Sequence, residues 1–436
     1  MKAVIMAGGK GTRLGALARD IPKPMMAVGG RPVLERQVTL LKRYGIQDII
    51  MVVGYLGEQI EAFFGDRSKW SVSITYFREK VELGIAGRLK EMEHLLTGDF
   101  LLLYGDVMMD MNLKRFIAFH LEHQSECTLA IHPNDHPADS DLVEMDAQCK
   151  ITTFHPKPHD PRKYYRNLVN AGAYIMSPTI VSLLEKGKES DLGRYVFPLI
   201  YSRARFYGYN TAEYLKDMGT PKRLLEVQKD YVSGKIERMN NEHPRKAIFL
   251  DRDGVLNIDK GLIYRVEDLG LLSGTAEAVR KINESEYLAI VVTNQPVIAR
   301  GLCTMEELDI IHKKLETELG EGHAKLDALY FCPHHPEKDH PVENAAYAIE
   351  CDCRKPKPGM LLQAAKDFTI DLTRSYLIGD SWRDIEAAHA AGVISIHVGT
   401  GADLKNEKTK PRHFFKNVGE SVNFILHNPA EHSIRS

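Results

Sequence analysis

Short apolar runs alternate along this chain with stretches in which apolar residues return every three or four positions. In the first half KAVIMA (2–7), DIIMVVG (48–54), FLLLYGD (100–106), CTLAIH (127–132) and AGAYIM (171–176) read as buried strands. VLERQVTLLKRYG (33–45) carries the helical spacing. The alternation predicts an α/β fold with a largely parallel sheet covered by helices. At 233–246 the sequence turns polar (SGKIERMNNEHPRK), and the alternation then restarts with AIFLD (247–251), YLAIVVTN (287–294), SYLIGD (375–380) and VISIHV (393–398). Two three-layer α/β domains are therefore expected, 1–235 and 246–430, joined by a linker at 236–245. The closing NPAEHSIRS is expected to fray.

Composition narrows the class. The 436 residues are 44% hydrophobic and 27% charged, with a formal net charge of −2. No basic field argues for nucleic acid or an anionic membrane. The apolar run in MKAVIMAGGK is broken by glycines too early for a signal peptide, and no stretch is long enough for a membrane span. A cytoplasmic soluble protein is the expectation; the oligomeric state is left open, a homo-oligomer included. Of six cysteines, Cys127, Cys149 and Cys303 are scattered, whereas Cys332, Cys351 and Cys353 crowd together. In a reducing compartment such a cluster suggests metal rather than disulfide.

The second half carries the clearer chemistry. AIFLDRDGVLN places Asp251 and Asp253 at the carboxyl end of an apolar strand, where open α/β sheets bind ligands. Thr293 and Asn294 follow a second strand, Arg354 and Lys355 lie in RKPKPG, and Asp380 follows a third strand in LIGDSWRD. A carboxylate can attack phosphorus to form an acyl phosphate, and a second carboxyl two residues on can protonate the leaving alcohol. A hydroxyl and a lysine can neutralise the transferring group while another aspartate holds Mg²⁺. Cys332 and His334 of FCPHHPE, with Cys351 and Cys353 of ECDCRKPKPGM, form a ligand set suited to a closed, tetrahedral, structural Zn²⁺ site. His335 is the adjacent competing ligand.

These residues resemble the haloacid-dehalogenase-like phosphatases across 246–430, and the zinc loop is similar to that of the subgroup containing D-glycero-D-manno-heptose-1,7-bisphosphate 7-phosphatase and histidinol-phosphatase. The resemblance implies that Asp251 is the nucleophile and Asp253 the acid/base. It implies Mg²⁺ on Asp251, the Asp253 carbonyl and Asp380, a phosphoryl group held by Thr293 and Lys355, and a selecting role for Arg354. Asn257, Asp259, Lys260, Gly261 and Leu262, with Asn294, Gln295 and Arg300 of NQPVIARG (294–301), would contact substrate.

In the first half the loop AGGKGTRLG (7–15) is rich in backbone N–H groups that can cradle phosphate. It fits neither G-x-x-x-x-G-K-[ST] nor G-x-G-x-x-G, which weakens a P-loop and a dinucleotide site alike. Asp106 and Asp217 could share one Mg²⁺ on a nucleoside triphosphate, and Arg13, Lys23 and Lys157 could neutralise phosphates. Taken singly, Lys23 and Lys157 read as solvated surface lysines. Together GGKGTRL (8–14), PKPM (22–25), GD (105–106), NAG (170–172) and DMGTP (217–221) resemble the sugar-1-phosphate nucleotidylyltransferases, across about 1–225. That resemblance implies nucleotide binding by Gly8, Gly9, Gly11, Thr12, Arg13 and Gly84. It also implies phosphate neutralisation by Lys23, sugar-phosphate contacts from Lys157 and Asn170, and Mg²⁺ on Asp106 and Asp217. ELGIAG (82–87) departs from the pattern, with Ile85 where the family often has Thr, which leaves the base open.

Both resemblances imply Rossmann-like three-layer domains. Joined in one chain, they imply consecutive steps: removal of the 7-phosphate from a heptose 1,7-bisphosphate, then nucleotidyl transfer to the heptose 1-phosphate. GTP is favoured, because the known route with a stand-alone enzyme of this type makes a GDP-heptose. The alternative is a histidinol-phosphatase-like second half beside a nucleotidylyltransferase for another sugar. The anomer, and whether intermediate passes between the sites, are not legible.

Overall fold

The structure, a computed structural model, describes residues 1–65, 70–79, 83–337, 344–401 and 409–428. Glu82 of ELGIAG, residues 429–430 of the second expected domain and all but the first residue of NPAEHSIRS lie outside them. The chain divides into two compact units, the first comprising 1–132, 141–156 and 168–240, the second 133–140, 157–167 and 241–436. Both are α/β.

The first unit is built on a nine-stranded sheet whose main path runs Ile151–His155, Leu142–Met145, Val169–Met176, Phe100–Tyr104, Lys2–Met6, Asp48–Val53, Ser73–Arg78. Lys2–Met6 lies parallel to both Asp48–Val53 and Phe100–Tyr104. Val169–Met176 runs antiparallel to Phe100–Tyr104 and to Cys127–His132, so the sheet is mixed rather than largely parallel. The apolar runs could not show this, because a strand buried on both faces reads the same in either direction. The helix Val33–Arg43 buries Val33, Leu34, Val38, Leu40 and Leu41 as its spacing predicted. Beside the main sheet, Tyr214–Asp217 pairs antiparallel with Val107–Asp110, setting Asp217 opposite Val107.

Gly84 opens the helix Gly84–Glu91 at φ +62°, and a Cβ there would lie 2.5 Å from the Ser190 carbonyl oxygen. Only glycine tolerates both the left-handed backbone and that approach.

The second unit holds a six-stranded sheet in the order Ala328–Cys332, Tyr287–Asn294, Lys246–Leu250, Tyr376–Gly379, Ile394–Val398, His413–Phe415. Every pairing in it is parallel. All carboxyl ends therefore share one edge; the central strands deliver Asp251, Thr293 and Asp380 to it, and the outermost strand Ala328–Cys332 delivers Cys332. Ile248, Leu250, Ala289, Val291, Ile378 and Ile396 are buried in its core.

The stretch read as a linker is ordered and tethered. Lys235–Arg238 is helical, Ile236 is buried, and the Asn240 amide donates to Asp110 Oδ1 at 2.7 Å. Arg245 exchanges backbone hydrogen bonds with Thr369 and Asp371 (both 2.8 Å), and its Nε donates to the Phe368 carbonyl at 2.9 Å. Polar side chains that satisfy buried partners look, in sequence, like solvated ones. The segments 133–140 and 157–167 also group with the second unit. There Arg166 pairs with Glu316 (2.8 Å) and Asp309 (2.5 Å) on the helix Met305–Glu321. No helix among the described residues is long and apolar enough to cross a membrane.

Candidate active sites

In the second unit Asp251 leaves the strand Lys246–Leu250 with its backbone N–H bonded to the Ile378 carbonyl (3.0 Å). The Lys355 ammonium, almost wholly buried, reaches Asp251 Oδ2 at 2.8 Å, Asp384 Oδ1 at 2.6 Å and the Val292 carbonyl at 2.8 Å. Burial would release its proton, but Asp251 and Asp384 outweigh burial and hold it charged. Burial, and then the Asp384 carboxylate, pushes the Asp251 carboxyl well above its ordinary range, against the pull of Lys355. Burial would raise Asp384 too; Lys355 and Ser381 overcome it and hold that carboxyl low.

Asp251, Asp380 and Asp384 can bring one oxygen each within 4.8 Å of one another. Three carboxylates against one ammonium leave an excess of negative charge in a buried place, and the donors are hard oxygens. That combination fits Mg²⁺. Gly254, at φ +74°, and Gly401 make room: a Cβ at Gly254 would meet Asp380 Oδ2 at 2.4 Å, and one at Gly401 would meet it at 1.9 Å.

Asp384 was not among the residues expected here. Its signal was the Ser381–Asp384 spacing that opens the helix Trp382–Ala391 as a capping box. That cap occupies one oxygen (Ser381 Oγ, 2.6 Å) and leaves the other for Lys355.

Several residues expected to contact substrate have other partners. The Asn294 amide both donates to the Lys355 carbonyl (2.9 Å) and accepts from the Lys355 N–H (3.0 Å), fixing the lysine's backbone. Asn257, fully buried, donates to Asp253 Oδ1 at 2.9 Å, and Gln295 donates to Asp253 Oδ2 at 2.9 Å and Thr293 Oγ1 at 3.0 Å. These amides are oriented on the protein, since a buried amide must satisfy its own hydrogen bonds first. Asp259 caps the Gly261 N–H at 2.7 Å, Lys260 pairs loosely with Asp268 at 3.5 Å, and Leu262 packs on the cluster around Val297 and Ile298. Arg300 and Arg354 lie close enough to affect the same histidine, His335. Burial holds the Arg354 guanidinium below its usual range, and its Nη1 donates to the His334 carbonyl at 3.0 Å.

The cysteine cluster closes as the spacing predicted. Sγ–Sγ distances are 3.2 Å for Cys353–Cys332, 3.3 Å for Cys353–Cys351 and 3.5 Å for Cys332–Cys351. His334 Nδ1 lies 3.4 Å from Cys353 Sγ and 3.8 Å from Cys332 Sγ. Zinc–sulfur bonds of about 2.3 Å give edges of nearly this length. The hydrogen bond between Cys353 and Cys332 draws the Cys353 thiol down to about 5 and pushes Cys332 up, so the cluster already favours a thiolate. His335 is turned away, its Nδ1 accepting from the Glu337 N–H at 3.2 Å. The four residues would hold one Zn²⁺ with no open position. Cys351→Ser should therefore lower the zinc content below one per chain and loosen the segment carrying Arg354 and Lys355, read as a fall in Tm and in phosphatase activity together. Full-length protein prepared without chelator and free of zinc would contradict this assignment.

In the first unit Gly9, Gly11, Thr12 and Arg13 line an open cleft of about 370 Å³ with Lys23 and Asp106. Gly8 lies just behind, packed against Gly54 and Glu79. Lys23 is not a surface lysine: it is buried, and its ammonium pairs with Asp106 and, at 3.1 Å, with Asp217 Oδ1. Arg223 holds Asp217 Oδ2 at 2.7 Å. Burial would raise the Asp217 carboxyl, yet Lys23 and Arg223 hold it below the usual range. Asp106 and Asp217 thus converge on one ammonium, that of Lys23. Ile85 lines the same cleft. Asn170 turns back on its own strand, accepting from the Gly172 N–H at 3.2 Å. Lys157 groups instead with the second unit, where it pairs with Asp139 at 2.7 Å. The loop that carries it packs on the helix Met305–Glu321, a course its local sequence did not reveal.

The nucleotidyl transferase family model matches residues 2–234, and the HAD-hydrolase-like model matches 352–421. The D-glycero-beta-D-manno-heptose-1,7-bisphosphate 7-phosphatase of Haemophilus ducreyi is 40% identical over 168 residues, 38% of this chain and 90% of that protein. The protein of the same name from Rhodopseudomonas palustris is 42% identical over 151 residues, 34% of this chain and 81% of its own. Among solved structures, HddC from Yersinia pseudotuberculosis, complexed with GMP-PN, covers 53% of this chain and 99% of its own at 24% identity and a TM-score of 0.45. With the two carboxylate–lysine clusters and the Cys3His cluster in place, this chain belongs to the nucleotidyl transferase family over its first half and, over its second, to the haloacid-dehalogenase-like phosphatases represented by these heptose-bisphosphate relatives.

Proposed function

We propose that this chain is a bifunctional cytoplasmic enzyme that hydrolyses the 7-phosphate of D-glycero-D-manno-heptose 1,7-bisphosphate and transfers a guanylyl group from GTP to the heptose 1-phosphate. The observation that carries the reading is that each unit holds its own buried lysine between two aspartates, Lys355 in one and Lys23 in the other. In the phosphatase unit Asp251 attacks phosphorus and forms the acyl phosphate. Asp253 delivers a proton to the sugar oxygen, then takes one from the attacking water. Lys355 and Thr293 stabilise the phosphoryl oxygens. Asp251, the Asp253 carbonyl, Asp380 and Asp384 would hold Mg²⁺, which supplies charge neutralisation when bound.

In the transferase unit the glycine-loop N–H groups and Arg13 hold the triphosphate, and Lys23 neutralises charge as the sugar phosphate oxygen attacks the α-phosphorus. Asp106 and Asp217 would hold the metal there. A cytoplasmic site is supported by six free thiols, three of them in the metal cluster, and by the use of a nucleoside triphosphate.

The test incubates purified protein with each anomer of the heptose 1,7-bisphosphate and each nucleoside triphosphate in turn. Inorganic phosphate should appear from the bisphosphate alone, and pyrophosphate only when GTP is added. Failure to release phosphate, with histidinol phosphate hydrolysed instead, would replace the first activity. Pyrophosphate from another triphosphate, with GTP inert, would replace the base.

A further inference from the structure

The group next to the nucleophile, Arg252, has no place in the chemistry described so far. Its side chain is fully buried in a chain segment where arginine is costly to bury without an anion. Its guanidinium forks onto Asp253: Nη2 lies 2.9 Å from Oδ2 and 3.0 Å from Oδ1, and Nε lies 3.1 Å from Oδ1. Nη2 also donates to Gln295 Oε1 at 3.0 Å, and Gln295 Nε2 donates in turn to Asp253 Oδ2 and to Thr293 Oγ1. Asp253 is the only carboxylate paired with Arg252 among the described residues. Asn257 completes the cradle on Oδ1.

From this geometry we infer that Arg252, locked by Gln295, is a positioning residue that sets the Asp253 carboxyl for proton transfer to and from the substrate oxygen. A freely rotating aspartate explores several rotamers, whereas a bidentate arginine fork specifies both the plane and the direction of the carboxyl group. The fork is anchored because the Arg252 side chain is fully buried and its Nη2 is also held by Gln295 Oε1. Gln295 ties the same carboxyl to Thr293, so proton transfer and phosphoryl stabilisation share one rigid frame. Lysine cannot replace this arginine, since a point charge on a flexible stem lacks the fork.

The inference rests on the acid/base reading of Asp253, and leaving-group dependence separates the two. A sugar phosphate needs a proton on its departing alkoxide; 4-nitrophenyl phosphate, whose phenolate leaves unaided, does not. General acid catalysis contributes on the order of 10²–10⁴-fold. Arg252→Lys should lower kcat with the heptose 1,7-bisphosphate by at least about tenfold at little-changed KM, and with 4-nitrophenyl phosphate by less than about threefold. Asp253→Asn should show the same selectivity more strongly. Circular dichroism and zinc content establish that each variant is folded. Arg252→Gln, which keeps two polar ends without the charge or the fork, is the second variant should the lysine form fail to fold. Equal losses on both substrates in the Arg252 variants, or no loss, would overturn the positioning role while selective loss in Asp253→Asn upheld the acid/base reading. Unselective loss in Asp253→Asn would overturn both.

Discussion

Asp251→Asn should abolish phosphate release, lowering kcat by on the order of 10³-fold or more, while nucleotidyl transfer to supplied heptose 1-phosphate stays within about twofold of the parent. The amide keeps the shape of the carboxyl and can still accept from the Arg252 N–H, now at 2.7 Å. It has no electron pair able to attack phosphorus, and no other carboxylate occupies its place at the strand end. Stability should not suffer. Burial and Asp384 hold the Asp251 carboxyl above its ordinary range, so in metal-free protein its ionised form opposes folding at neutral pH; below the unfolded carboxylate range that cost vanishes. The Tm of the metal-free variant at pH 7 should therefore equal or exceed that of the parent, and the two should converge at acid pH. Loss of both activities in a folded variant would refute the assignment of one chemistry to each unit.

The second large effect is expected in the transferase unit. Asp217→Ala should lower kcat for pyrophosphate release by on the order of 10²-fold or more, the scale of one preorganised electrostatic contact. Affinity for the nucleoside triphosphate should change much less, because the proposed phosphate contacts of the glycine loop and Arg13 remain. A merely structural role for Asp217 in its turn would predict a loss of roughly 1 kcal/mol of stability with normal turnover. The turn has another cap, however: Thr220 Oγ1 accepts the Arg223 N–H at 3.3 Å at the start of the helix Pro221–Val232. Asp217 faces Lys23 and Arg223 instead. Steady-state kinetics on the folded variant decide between the two; turnover within about threefold of the parent would remove Asp217 from the metal site.

The local features of this protein were legible in its residue pattern. Apolar runs closed by Asp251 and Asp380 located two of the strands and the catalytic edge they share, because a parallel sheet brings all its carboxyl ends to one side. The short spacing between Cys351 and Cys353, with Cys332 close before them, marked a metal-type cluster, since two short motifs can supply a tetrahedral site. Tertiary structure decided what depends on partners far apart in the chain. The pairing of Tyr214–Asp217 with Val107–Asp110 is what carries Asp217 to Asp106, and no local pattern encodes that register. His334, preferred over His335 by resemblance, is the imidazole whose Nδ1 lies beside the Cys353 and Cys332 sulfurs. The resemblance implies substrate contacts for Asn257, Asn294 and Gln295, and only the folded geometry shows that they also brace Asp253 and Lys355. Lys23, read singly as solvated, is buried because two aspartates more than 100 positions apart converge on it, giving its charge the partners that burial requires.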